Sequence, residues 1–301
     1  MKLSFVGMDS SHSIEFTRRL MAPDCPADQK VTGPVLSLSK GATVIKAMRF
    51  ETPFQDKEGL DARQNQMEEW GVKVTLRLDE AVNGCDAIMM CINDPSLHLD
   101  YFKKIAGLGK PIFLDKPLAD TTANAKAIID HAADMKTRFF SSSSLRFVPQ
   151  LIDACKAVEN PTLVSTFGAL GSAMAGSSIV WYGVHAVEMM QRAIGRGAKS
   201  VKTDADATGA VVVAHYDDGR RGVVELCSGA WHYGGSVRGK NAAVSFTADT
   251  SRLYSDQLIE IIKFFKGGEP PVAPEDALEV TALLDAAQRS ADSGKPEATG
   301  V

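Results

Sequence analysis

The sequence predicts an α/β protein, a parallel-sheet domain followed by an α+β domain, and three observations carry that reading. Short apolar runs alternate with helical patterns as far as about Arg146, which is the grammar of strands joined by helices in a parallel sheet. Beyond that point strands follow one another with only turns between them. The chain has 301 residues, a length that suits two domains of roughly 100 to 200 residues each. The expected division is 1–144 and 145–301.

Residues 3–6 (LSFV) form the first strand, followed by a polar loop and a helical pattern carrying Ile14, Phe16 and Leu20. Residues 43–50 (TVIKAMRF) form the second. Residues 87–92 (AIMMCI) are a continuous apolar run, as a strand buried on both faces requires. A helical stripe of Leu97, Tyr101, Phe102 and Ile105 leads to the strand 111–114. Thr121 can cap the next helix, which holds Ile128 and Ile129 and leads to 138–142. In the second half, 210–216 and 222–226 flank Asp217-Asp218-Gly219, where Asp-Gly suits a hairpin turn. Leu258, Ile261, Ile262 and Phe265 recur at helical spacing with Gly267 placed as terminator. Val280, Leu283, Leu284 and Ala287 mark the last helix, with Pro274, Glu275 and Asp276 in its first turn.

Composition excludes several classes. Lys plus Arg number 33 against 37 Asp plus Glu, a formal net charge of −4, which argues against a nucleic-acid binder. Hydrophobic residues make up 45% and charged residues 23%, the balance of a globular protein rather than a disordered or membrane one. Cys25, Cys85, Cys91, Cys155 and Cys227 are odd in number and form no CxxC pair, so neither a disulfide framework nor a zinc knuckle is expected. The N-terminus turns polar at Asp9, too early for a secretory signal, and no run of about 18 apolar residues occurs to span a membrane. The expected location is the cytoplasm.

The turn after the first strand reads Gly7-Met8-Asp9-Ser10-Ser11-His12. A strand, tight turn and helix at this place suit a dinucleotide, because helix N-terminal amides attract pyrophosphate. Laid on the GxGxxG fingerprint, only the first glycine is kept. Asp9 stands where backbone would approach phosphate. Two readings follow: a modified cofactor loop, or a helix cap made by Asp9, Ser10 and Ser11 with His12 exposed on the opening turn. Asp9 and His12 alone supply too few ligands for a metal, and none is expected.

Residues 86–98 (DAIMMCINDPSLH) and 109–119 (GKPIFLDKPLA) closely resemble the Gfo/Idh/MocA family of oxidoreductases. There a strand ends in a Pro-containing loop leading to a His, and a later strand ends in an acidic residue followed by Lys-Pro. Arg146-Phe147-Val148-Pro149 is similar to the family's Arg-aromatic-x-Pro segment, and Gly183-Val184-His185 to its Gly-x-His motif.

The resemblance implies a nicotinamide-binding, Rossmann-like domain. After it comes a domain with an open, largely antiparallel sheet that carries substrate and forms a homo-oligomer interface. It implies NAD or NADP as cofactor and a sugar, cyclitol or related polyol as substrate. Lys116 and His185 match the catalytic lysine and histidine. Gly7, Asp9, Ser10, Ser11, His12, Arg49, Asn93, His98, Asp115 and Lys116 fall on the cofactor side; Arg146, Trp181, Tyr182 and His185 fall on the substrate side.

Physical chemistry agrees with the two central roles. A lysine at the carboxyl end of a parallel strand sits where ligands bind in such sheets, and a histidine titrating near neutrality can take a hydroxyl proton. The plain alternatives are a solvated lysine at a strand end and a histidine that merely opens a helix. Departures from the pattern also count. Trp181 stands where many family members place an Asp, so the imidazole lacks that carboxylate. Trp181 and Tyr182 either stack on a sugar ring or pack in the core. Glu188, one helical turn after His185, either substitutes for that carboxylate or, at the far side of the turn, sits on the surface, the reading favoured here.

Met48-Arg49-Phe50-Glu51 offers both an arginine for a 2′-phosphate and a carboxylate for ribose hydroxyls. An insertion from about Ala22 to Lys40, with Pro23, Pro26 and Pro34, separates it from the glycine turn. His98 either lines the cofactor site or is structural. The segment bearing Gly168, Gly171 and Gly176 reads as a loop able to close over substrate, and Trp231-His232-Tyr233 as aromatic groups among glycines. The alternative function is a family member that has lost catalysis and serves as a ligand-binding or regulatory protein.

Overall fold

The computed structural model describes residues 1–31 and 41–301. Pro34 and the end of the 22–40 insertion lie outside the described residues. The chain forms two compact units. The first comprises Met1–Asp115, Ala127–Ser141 and Tyr254–Ala273; the second comprises Lys116–Lys126, Ser142–Leu253 and Pro274–Val301.

The first unit holds a six-stranded sheet of β1 (Lys2–Val6), β2 (Thr43–Met48), β3 (Lys73–Thr75), β4 (Ala87–Met90), β5 (Ile112–Leu114) and β6 (Phe139–Ser141). The order is β3-β2-β1-β4-β5-β6 and every pairing is parallel. This is the doubly wound Rossmann order, with its switch point beside β1. All four residues of β4 and all three of β5 are buried, as strands covered on both faces must be. Helices α1 (Ser11–Met21), α2 (Lys57–Glu69), α3 (Leu78–Val82), α4 (His98–Ala106) and α5 (Thr122–Met135) alternate with the strands.

Aromatic side chains fill the core of this unit. The ring of Phe113 lies 6.0 Å from Phe16 and 5.2 Å from Phe140, and Phe140 lies 5.1 Å from Phe264. Phe264 comes from the helix Leu253–Phe265, whose apolar stripe the sequence shows correctly. The contiguous division at 144/145 places that helix with the second half, yet from Tyr254 onward it belongs to the first unit. Residues Lys116–Lys126 are exchanged the other way. Helical periodicity tells which face of a helix is apolar, not which sheet will cover it.

The second unit contains α6 (Pro149–Ala157), α7 (Ser178–Ile194) and a seven-stranded sheet, with α8 (Leu253–Phe265) and α9 (Pro274–Ser293) following in the chain. Its strands are β7 (Leu163–Leu170), β8 (Ala198–Asp206), β9 (Gly209–Tyr216), β10 (Arg221–Ser228), β11 (Gly234–Arg238), β12 (Ala243–Thr247) and β13 (Glu297–Ala298). They run in the order β12-β11-β7-β10-β9-β8-β13, antiparallel throughout except for the parallel pair β7 and β10.

The β9–β10 hairpin turns at Asp217–Gly219 as the sequence indicates, with Gly219 N–H donating to Tyr216 O at 3.1 Å. Burial alternates along both strands, so one face is apolar. There Val212, Ala214, Val224 and Leu226 join a core with Val184 and Val187 of α7 and Leu283 and Leu284 of α9. Gly183 allows α7 this close approach: a Cβ there would lie 2.8 Å from Leu226 Cδ1. His185 is two residues further along the same helix.

Candidate active site

In the first unit the chain passes from β1 through residues 7–10 into α1, as expected. Gly7 has φ +102°, and a Cβ on it would lie 2.5 Å from Cys91 O, so only glycine suits this turn. Ser10 caps α1 by accepting from His12 N–H at 3.2 Å. Ser11 opens the helix and is exposed.

Asp9 is buried. Its carboxylate accepts from Asn93 N–H, at 3.0 and 3.1 Å to the two oxygens, and from Thr52 Oγ1 at 2.7 Å. Burial pushes the Asp9 carboxyl above the usual carboxylate range, and the Thr52 and Asn93 bonds pull it partly back. His12 is not exposed as the capping alternative has it. Its Nδ1 pairs with Asp115 Oδ1 at 2.8 Å, and its ring lies 5.2 Å from that of Tyr254. Ser10 Oγ donates to the other oxygen of Asp115 at 3.2 Å. Asp9 and His12 therefore face different partners and do not form a common metal pair.

At the end of β2, Arg49 donates from Nη1 to Gln64 Oε1 at 2.8 Å and pairs through Nη2 with Asp61 Oδ1 at 2.6 Å. Lys57 and Arg49 hold the Asp61 carboxyl below its ordinary range. Arg49, Glu51 and Phe50 line a cavity of about 430 Å³ with Lys57, Gln64 and Leu76. His98, assigned to the cofactor side, is fully buried and pairs through Nε2 with Ile92 O at 2.8 Å. As the first residue of α4 it fastens the loop after β4 and presents no surface to a ligand.

In the second unit, α7 gathers a cluster of rings. Lys116 Nζ lies 5.7 Å from the centroid of Trp181 and 5.9 Å from that of Tyr182. Such cation–π contacts are worth about 0.5–2 kcal/mol and help an ammonium tolerate burial. The His185 ring lies 5.0 Å from Tyr182 and 6.1 Å from Tyr233. Trp231, 59% exposed, meets Tyr182 edge to face at 5.4 Å. Burial raises the Tyr182 hydroxyl's pKa, and its hydrogen bond with Tyr233 lowers it in part. Lys116, Trp181, Tyr182 and His185, predicted from sequence, thus share one cluster, and the 231–233 loop adds to it.

Beneath His185 lies a network that the sequence does not show. His185 Nδ1 is hydrogen-bonded to Ser143 Oγ at 2.7 Å. Ser143 N–H donates to Glu188 Oε1 at 3.0 Å, and Arg146 Nη1 donates to Glu188 Oε2 at 3.0 Å and to Gln191 Oε1 at 2.9 Å. Two expectations change. Glu188 is buried rather than on the surface, because Arg146 supplies its counter-charge. Arg146 is buried too, with its guanidinium committed to Glu188 and Gln191 rather than to a substrate. Burial pushes the Glu188 carboxyl up, and Arg146 opposes that shift. The only sequence signal for Ser143 is its place just beyond a strand's carboxyl end.

Among the described residues, no helix is long and apolar enough to cross a membrane. Residues 55–143 match a protein-family model described as an oxidoreductase family with an NAD-binding Rossmann fold. Nothing among the curated proteins matches the chain. Solved structures align over its whole length. The myo-inositol 2-dehydrogenase of Lactobacillus plantarum is similar with a TM-score of 0.78 and 14% identity, over 99% of each chain. The scyllo-inositol dehydrogenase of Lactobacillus casei, solved with NAD(H) and scyllo-inositol, has a TM-score of 0.76 and 13% identity, over 100% of this chain and 99% of that one. An Agrobacterium radiobacter oxidoreductase, solved with NAD+, L-tartaric acid and magnesium, gives 0.74 and 14%, over 100% and 98%. At these identities the likeness is one of fold.

Proposed function

From the match of residues 55–143 to an oxidoreductase family model, we propose that the chain is a member of the Gfo/Idh/MocA family of oxidoreductases and moves hydride between NAD or NADP and a sugar, cyclitol or related polyol. The observation that carries this reading is the shared cluster of Lys116 and His185 around Tyr182. A cationic donor and an imidazole beside one aromatic wall are the groups that alcohol oxidation needs. Lys116 donates a hydrogen bond from Nζ to the reacting oxygen and stabilises negative charge on it. His185, anchored through Nδ1, exchanges the hydroxyl proton at Nε2. Trp181 and Trp231 offer apolar faces to the C–H face of a ring substrate.

The first unit fits a dinucleotide in two respects: the positive-φ glycine at the turn and the cavity beside Glu51 and Arg49. Gly7, Ser10 and Ser11 at the start of α1 would hold the pyrophosphate, and Glu51 or Arg49 the adenosine ribose. When bound, the nicotinamide supplies the hydride acceptor or donor. A homo-oligomer through the sheet of the second unit and a cytoplasmic location complete the proposal; Phe167 and Val211 are exposed apolar residues of that sheet.

Asp9 favours the second reading, a ligand-binding or regulatory protein without hydride transfer, because its buried carboxylate occupies the position of the second glycine. Thermal shift with NAD, NADH, NADP and NADPH separates the two. A ligand at a hundred times its dissociation constant stabilises by about 2.7 kcal/mol. No shift with any of the four at millimolar concentration sinks the dehydrogenase reading.

A further inference from the structure

We propose that Ser143 is the positioning residue for His185, taking the place of the carboxylate that Trp181 leaves absent. The inference rests on the reading of His185 as the proton-exchanging group. Ser143 is fully buried, and its Oγ is 2.7 Å from His185 Nδ1.

Two further bonds fix Ser143. Its Oγ accepts from Leu145 N–H at 3.2 Å as the cap of a short 3-10 turn, and its own N–H donates to Glu188 Oε1 at 3.0 Å. His185 and Glu188 project from the same helix one turn apart, so α7 grips Ser143 at both its side chain and its backbone. Arg146 balances the charge of Glu188. The group that meets the imidazole is therefore a neutral hydroxyl, while the Glu188 carboxylate holds the backbone N–H of the same residue.

A hydroxyl serves both protonation states of the ring. When Nε2 carries the only proton, Ser143 O–H can donate to Nδ1. When Nδ1 carries it, Nδ1–H donates to Oγ and the Nε2 lone pair is the one that takes a substrate proton. The resulting imidazolium keeps Nδ1–H on Oγ, and Ser143 neither gains nor loses a proton. A carboxylate at that place can only accept, and it would hold the ring in one tautomer.

The test reads the ring itself. In full-length protein labelled with 15N-histidine, the signals of His185 among the six histidines are assigned by their loss in His185→Gln. Ser143→Ala should shift the His185 Nδ1 and Nε2 resonances, whereas Ser143→Thr should keep the wild-type values. Ser143→Cys, close to serine in size, gives the same readout as Ser143→Ala should that variant fail to fold. Unchanged His185 resonances in the folded variants overturn the proposal.

On any polyol that the wild type oxidises, Ser143→Ala should lose about ten-fold or more in kcat with KM little changed, and Ser143→Thr should recover most of it. Full kcat in Ser143→Ala alongside an inactive His185→Ala overturns the positioning role alone. Full kcat in His185→Ala overturns the reading of His185 instead.

Discussion

The turn at residues 7–12 and the ring cluster on α7 are both built from polar groups at the ends of elements, yet they use them in opposite ways. In the turn, Asp9, Ser10 and His12 bond to Asn93, Thr52 and Asp115, and their polar side chains are consumed within the unit. Around α7, the inner layer of Ser143, Glu188 and Arg146 is consumed likewise, but it supports an outer layer of Lys116, His185 and aromatic rings that ends in the exposed Trp231. A layered site separates positioning from contact, so each layer can be changed and read separately. Among the described residues the turn has no such second layer.

The largest expected effect tests the inner layer. Glu188→Ala removes one partner of a buried ion pair and should destabilise the protein by about 3–5 kcal/mol, seen in urea unfolding. Little change would mean that Arg146 finds another partner and that the layers are not distinct. Next come the outer groups. Lys116→Ala and His185→Ala should each reduce turnover by about 100-fold or more, measured on protein shown to be folded by circular dichroism.

The third test sharpens the contrast from the side of the turn. Asp9→Gly restores the fingerprint glycine and removes a carboxylate from the phosphate position. NADH should then bind about ten-fold more tightly by fluorescence titration, the scale of removing one nearby like charge. Asp9 also has a pH signature. Its carboxyl is raised in the folded state, so the fold holds that proton more tightly than the unfolded chain does. The resulting stability is fully present below the unfolded value and lost as pH rises through the folded one. Asp9→Asn should abolish that decline in Tm. The smallest effect belongs to Trp231→Ala, where KM for a ring polyol should rise a few-fold with kcat and Tm nearly unchanged, since the side chain is mostly exposed.

What the sequence makes legible follows from locality. The run at 87–92 and the Asp-Gly hairpin announce themselves because their signals lie within a few residues, and the structure has both. Lys116 and His185 are legible through motifs. The misread residues owe their state to distant partners: His12 is buried against Asp115, 103 residues away, and Ser143 meets Glu188 across 45 residues. Nothing in the periodicity of either segment encodes such pairings. A first-turn histidine and a glutamate on a helix are ordinarily solvated, so local rules assign them to the surface.

Gly183, pressed against Leu226, bears on how this protein is to be redesigned. It sets the depth of α7, and thus the height at which His185 is carried above the sheet. A larger residue there must displace the Leu226 side chain or shift α7 and, with it, His185. The stretch 229–232, which precedes β11 and is largely exposed, carries no such burden. Replacing it would alter what is grasped while the groups beneath kept their places. A programme to change substrate range would therefore diversify that loop and hold α7 constant.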